Sequence, residues 1–210
     1  MIFSLIFFFV SQMKEDSAMI LPSPVFTNKS IEECIQTRRS VRTFLPKALT
    51  GQQLSNILWA AQGITDTAAG FRATPSAGAT YPLEILVAVK EGVFRYTVEK
   101  HTLKKEIAFD LRKKIAEAAS SQMFIADAGA VIIITAVPER TTQRYGERGF
   151  RYIGNEVGHC AQNIHLEAAA LGLGSVPVGA FKDSRLKEIL KLKDYEDPLY
   201  IIPVGVPKDR

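Results

Sequence analysis

Residues 130–137, reading AVIIITAV between Gly129 and Pro138, constrain this chain more than any other stretch. The run is continuously apolar and rich in β-branched side chains. An alternating pattern would leave one face of a strand in water; this one has no polar face to offer. It predicts a central strand covered on both sides. The chain has 210 residues, 47% of them apolar. That suffices for one domain with a sizeable core, or for a protomer that completes its core by dimerising.

The elements around that strand follow from local signals. Ser30-Ile31-Glu32-Glu33 reads as a capping box that opens a short helix to about Arg38. Thr50-Gly51-Gln52-Gln53 repeats the signature, and Leu54, Ile57, Leu58 and Ala61 supply the apolar stripe of a second helix that Gly63 stops. Residues 70–82 are a loop rich in Gly, Pro, Ser and Thr. Residues 85–89 and 94–98 read as a hairpin around Glu91-Gly92. Residues 107–122 read as an amphipathic helix, and 150–171 as the longest helix, apolar over much of its surface. A short helix over 183–192 and a strand over 200–206 complete an α+β chain.

Composition excludes several classes. The net charge of +4 is mild, and no clustered basic face or motif accompanies it, so no nucleic-acid partner is expected. Two cysteines, Cys34 and Cys160, do not make a disulfide framework and read as buried or neutral thiols of a reducing cytoplasm. Residues 1–10 are nearly all apolar but too short for a span, which needs about 20 residues. Residues 1–18 are read as a leader that is disordered or a misassigned start, and 19–210 as a single domain with no membrane partner.

Four strings carry candidate chemistry. Arg38-Arg39-Ser40-Val41-Arg42 lies where a helix ends. Its guanidinium groups, hydroxyl and backbone N–H groups suit a phosphate dianion, or form a solvated basic surface. Pro75-Ser76-Ala77-Gly78-Ala79-Thr80-Tyr81-Pro82 is a side-chain-poor loop that lets backbone approach a flat ligand, or a rigid connector. The 170–181 stretch ends the long helix with Gly172 and Gly174, then turns through Pro177, Val178, Gly179 and Ala180. No GxGxxG follows a strand, which disfavours a Rossmann site. Lys208 and Arg210 either join the early arginines around one phosphate or form a charged tail. A Glu-x-x-His string, Glu156 to His159, occurs once. Di-iron bundles need two such strings, so no metal is expected, and His159 and His165 are read as core or interface residues.

Together these strings resemble the nitroreductase-like superfamily, and within it the SagB-type dehydrogenases that include thiazole and oxazole oxidases. The resemblance also rests on residues 53–64, on Tyr145-Gly146-Glu147-Arg148 through Gly158-His159, and on 171–181, and it spans roughly residues 27–210. It implies a nitroreductase-like α+β fold, with a central mixed or antiparallel sheet flanked by helices. It further implies an FMN-binding homodimer, with NAD(P)H as co-substrate and a small molecule or peptide as substrate. Arg38, Arg39, Ser40 and Arg42 match the phosphate-binding stretch, with Lys208 and Arg210 as its C-terminal partners. Pro75, Ser76, Ala77 and Gly78 match the loop that reaches the flavin of the other protomer. Pro177, Val178, Gly179 and Ala180 match the segment along the ring edge and N5. Azoline oxidases of the branch carry Lys-Tyr where this chain has Arg144-Tyr145. Arginine stays protonated, so it does not replace a lysine base. Arg144 and Tyr145 are therefore candidates for substrate contact or proton supply in a general flavin oxidoreductase. A flavin-binding module without turnover is the non-enzyme alternative.

Overall fold

The computed structural model describes residues 18–208. The expected leader, residues 1–18, lies outside them except for Ala18, and so does Arg210. In chain order the elements are β1 (Met19–Ile20), α1 (Ile31–Thr37), α2 (Gly51–Gln62), β2 (Ile64–Asp66), β3 (Phe71–Arg72), β4 (Leu83–Val89), β5 (Gly92–Thr97), β6 (Thr102–Ile107), α3 (Arg112–Ala118), α4 (Phe124–Asp127), β7 (Ala130–Ala136), α5 (Glu139–Tyr145), α6 (Arg148–Ala170), β8 (Gly174–Ser175), α7 (Asp183–Leu190) and β9 (Asp197–Gly205).

The apolar run is β7, and all its residues are buried. It lies between β4 and β9 in a seven-stranded sheet of order β1-β6-β5-β4-β7-β9-β8, whose neighbours all pair antiparallel. Period-two alternation sends its side chains to two cores. Ile132 and Ile134 pack with Ile85 and Val87 of β4 against Ile57 and Leu58 of α2 and Ile153 and Ile164 of α6. Val131 and Ile133 pack with Leu86 against Ile115 of α3, Ile125 of α4 and Leu186 of α7. Helices on both faces explain why no polar face survives in the run.

Both capping boxes form. Ser30 and Thr50 accept from the backbone N–H of Glu33 and Gln53, and those side chains accept from the cap N–H groups in return. Gly63 ends α2 in an extended conformation, and only glycine fits there because a Cβ would collide with Trp59. Both cysteines are buried and free, and burial pushes the Cys160 thiol up to about 12, so it is neutral.

The 107–122 expectation is corrected. Its first residue closes β6, which pairs with β5, and the helix runs only over Arg112–Ala118. Ser120 and Ser121, both at φ 56°, then turn the chain out of the helix. The strands β6 and β8 and the small β2–β3 pair carry too little periodicity to read from sequence. Arg144 and Tyr145 form the last turn of α5.

Candidate functional site

The predicted site residues fall into two groups. The first surrounds the C-terminal end of α6. Arg38 is the C-cap of α1, its N–H bonded to Cys34 O at 2.9 Å. The chain then runs along the sheet edge. Ser40 forms a parallel bridge with Ser175, and Val41 N donates to Ser175 O at 3.0 Å. Leu45 N donates to Val206 O at 2.9 Å, and Lys208 N to Thr43 O at 3.1 Å. This close apposition needs Gly174, since a Cβ there would stand 2.7 Å from Val41 Cβ. The 38–42 segment and Lys208 are thus held together by backbone.

Their side chains diverge. Arg38 and Arg39 line a cavity of about 270 Å³ with Thr37, His165, Ser175 and Pro207. Arg39 donates to the carbonyls of Gln36 and Arg38, at 2.9 and 2.7 Å. The Arg38 guanidinium makes no hydrogen bond or ion pair among the described residues. Arg42 turns away and lies over the Phe124 ring at 5.9 Å. Ser40 and Lys208 are exposed. In the 177–180 turn Val178 bridges to Ile201 and is buried in the core, whereas Gly179 and Ala180 are exposed and present backbone.

The second group lies at the other end of α6. The loop of Pro75, Ser76, Ala77 and Gly78 is wound tightly: Ala79 N donates to Ser76 O at 3.1 Å, and Tyr81 N donates to Ser76 Oγ at 2.9 Å. Gly78 sits at φ 60°, ψ 22°, and Ala79 and Tyr81 also take positive φ. Arg144 Nη1 donates to Gly78 O at 3.2 Å. A Cβ on Gly78 would stand 2.5 Å from the Tyr145 hydroxyl. Tyr145 stacks edge-on with Tyr152 at 5.1 Å. The structure therefore brings both predicted catalytic residues onto the predicted flavin loop. No hydrogen bond or ion pair links Arg144, Tyr145 or residues 75–78 to residues 38–42 or 175–180 among the described residues.

Two side chains that the sequence reading treated as core residues or as half of a metal motif belong to these groups. Glu156 is 3% exposed and shares a hydrogen bond with the Ser76 side chain, while its Oε1 has no partner among the described residues. Burial pushes its carboxyl up to about 7. His165 is 5% exposed, with Nδ1 2.7 Å from Ser175 Oγ and Nε2 without a partner among the described residues. Burial, and then the nearby Arg38, bring it down to about 4. The available signal was polarity: each interrupts the apolar pattern of the longest helix. Among the described residues no group of three or more His, Cys, Asp or Glu side chains is placed to hold a metal ion.

Comparison with known proteins agrees with this architecture. The nitroreductase family model matches residues 35–206. A Methanocaldococcus jannaschii protein assigned to the nitroreductases is 49% identical over 193 residues, which is 89% of this chain and 96% of the relative. An Archaeoglobus fulgidus protein named as an NADH dehydrogenase/NAD(P)H nitroreductase is 25% identical over 186 residues, 85% of this chain and 88% of the relative. The crystal structure of a Ralstonia eutropha protein assigned to the nitroreductases superposes with a TM-score of 0.85 at 26% identity, covering 95% of this chain and 93% of the other. The chain belongs to the nitroreductase family, and with it to the oxidoreductases that the family comprises.

Proposed function

We propose that this chain is an FMN-dependent oxidoreductase that passes hydride between NAD(P)H, or an organic donor, and a small-molecule acceptor. The observation that carries the reading is the free Arg38 guanidinium, opening on a cavity beside a backbone pinned to Ser175 and Val206. A guanidinium left unpaired at a half-buried position suits a doubly charged phosphate. The exposed backbone at Gly179 and Ala180 suits a flat ring edge. When bound, the flavin supplies the hydride-accepting chemistry at N5, which no side chain of this protein provides. Arg38, Arg39, Ser40 and Lys208 hold the phosphate end, with Arg42 and Arg210 assigned to it from the sequence alone. Tyr145 meets the substrate and supplies a proton from its hydroxyl.

The two groups of site residues belong to different halves of a homodimer, so that residues 75–78 reach the partner's flavin. Exposed apolar residues flank both groups: Ile31 and Ile35 on α1 are 60% and 57% exposed, and Phe150 on α6 is 60% exposed. Apolar surface beside both groups suits such an interface. The domain spans residues 19–210 and works in the cytoplasm. Among the described residues no helix is long and apolar enough to cross a membrane.

Placement in the SagB-type branch rests on the sequence strings. Arg144 separates this chain from the branch members that act on peptide azolines, because it serves here as a clamp on Gly78 and stays protonated. The test is an absorbance spectrum of the purified protein before and after anaerobic NADPH. Flavin bands that bleach are the expected result. Flavin that stays oxidised redirects the search to an organic donor, and protein that takes up no FMN refutes the reading.

A further inference from the structure

We infer that His165 is a ligand of the nucleotide phosphate, donating Nε2–H to a phosphoryl oxygen in the cavity that Arg38 and Arg39 line. The inference rests on the FMN reading above and adds a residue that the motif strings do not contain.

The argument begins with the imidazole's two nitrogens. Nδ1 lies 2.7 Å from Ser175 Oγ, and the ring is that hydroxyl's sole partner among the described residues. With the hydroxyl donating to Nδ1, the hydroxyl proton and Nδ1 are both satisfied and the ring proton sits on Nε2. The other tautomer leaves the hydroxyl proton without an acceptor. Ser175 is itself fixed by the β8–β9 pairing and by the bond from Val41 N. The same residue therefore anchors the 38–42 backbone and orients the ring.

Nε2 then remains as a buried N–H with no partner among the described residues, on a side chain that lines the cavity. Buried donors are almost always paired, so an orphan on a cavity wall points to an acceptor that enters the cavity. That acceptor is anionic. Arg38 lines the same wall with its guanidinium also unpaired, and no carboxylate lines the cavity. The negative C-terminal end of α6 borders the cavity through Ala169, and there Lys29 Nζ donates to Ala169 O at 3.0 Å, capping a last-turn carbonyl. A neutral imidazole donor beside a guanidinium adds direction without adding a cation that must be buried when the site is empty.

The test compares flavins with and without the phosphate. Holoprotein and protein exchanged into riboflavin are diluted, and release is followed by recovery of flavin fluorescence. His165→Leu removes the donor. His165→Gln keeps an N–H and controls for packing. The expected result is an FMN affinity lowered by about tenfold or more in His165→Leu, an unchanged riboflavin affinity, and recovery in His165→Gln. Independently, the ¹⁵N resonance of His165 Nε2 should differ between FMN-loaded and riboflavin-loaded protein. Inorganic phosphate added to the riboflavin form should move it toward the FMN position. Equal weakening of FMN and riboflavin would make His165 a packing residue and overturn the inference. Unchanged FMN affinity would overturn it while the flavin reading stands. A resonance that answers inorganic phosphate but not FMN would assign the cavity to a different phosphate and also overturn it. Failure of the wild type to bind either flavin would remove both.

Discussion

Glu156 and His165 ride on the same helix, about 14 Å apart along its axis, and meet opposite halves of the site. Both are almost wholly buried, both leave one polar atom unpartnered among the described residues, and burial drives both toward their neutral forms. The outcome differs because one is an acid and the other a base. The carboxyl comes up to about 7 and the imidazole goes down to about 4. Around neutral pH the imidazole beside the proposed phosphate site therefore stays neutral, while the loop half sits on a titrating group. A cofactor grip gains from constancy. A loop that must meet substrate is the place where a proton can be held.

The largest expected effect breaks the comparison at the phosphate half. Arg38→Ala should weaken FMN on the order of a hundredfold, since a charge-assisted guanidinium–phosphate contact is lost. Riboflavin should bind as before, measured by fluorescence titration. The same substitution should barely change thermal stability, because Arg38 has no partner in the described fold to lose. If Arg38→Ala and Glu156→Gln weakened FMN alike, the division of the site into a gripping half and a titrating half would be wrong.

The second effect concerns pH. Glu156 has its carboxyl raised in the fold, so the folded chain keeps a proton that the unfolded chain gives up. Its contribution is intact below about pH 4.5 and is lost as pH climbs to about 7. For His165 the sign reverses: the folded imidazole refuses a proton that the unfolded one accepts. Its contribution is intact above about pH 6.5 and is lost as pH falls toward 4. Denaturant titrations from pH 4 to 8 should show the margin of Glu156→Gln over wild type widening as pH rises to about 7, then levelling. A margin that does not vary with pH would mean that Glu156 titrates normally, and the asymmetry between the halves would vanish.

Smaller, but confined to the loop half, is Gly78→Ala. A residue with a Cβ at φ 60° costs about 1–2 kcal/mol. The added carbon also stands 2.5 Å from the Tyr145 hydroxyl and 2.7 Å from Arg144 Nη1. A lower melting temperature and a loosened loop are expected, the latter seen as faster proteolysis within residues 70–82. An unchanged melting temperature would show that the loop holds no special backbone geometry.

How much of this was legible beforehand follows the range of each interaction. The central strand, both capping boxes and the long helix are written in local periodicity and in residues three or four apart, and sequence reading finds them. Of β6 only its last residue, Ile107, falls in the stretch that reads as a helix, because Ile107, Leu111 and Ile115 repeat every four residues; the rest of β6 carries too little periodicity to read. Its strand conformation comes from pairing with β5, which no local pattern encodes. In the site the phosphate and loop strings were readable as wording, yet Val178 proved to be core and Arg42 to lie over Phe124. His165 is buried as the core reading has it, and Glu156, read only as half of a Glu-x-x-His string, is buried as well. Only tertiary contact sets Ser76 of the loop beside Glu156, and His165 beside Ser175 on the wall of a cavity.

The smallest expected effect sharpens what the loop half does. Arg144 is exposed and holds the Gly78 carbonyl by a single bond at 3.2 Å. Removing that bond by Arg144→Ala should cost at most about 1 kcal/mol of stability. The informative readout is how the change divides between cofactor and substrate. If Arg144 touches substrate, the variant should raise KM for the acceptor severalfold and leave the FMN dissociation constant alone. If it serves only as a clamp, the loop should loosen over the partner's flavin, and FMN release should quicken with KM unchanged. Tyr145→Phe separates the two residues further, because it removes the hydroxyl and leaves the clamp and the edge-on contact with Tyr152 in place. A fall in kcat confined to Tyr145→Phe would put the proton on Tyr145 and leave Arg144 as the residue that keeps the loop wound.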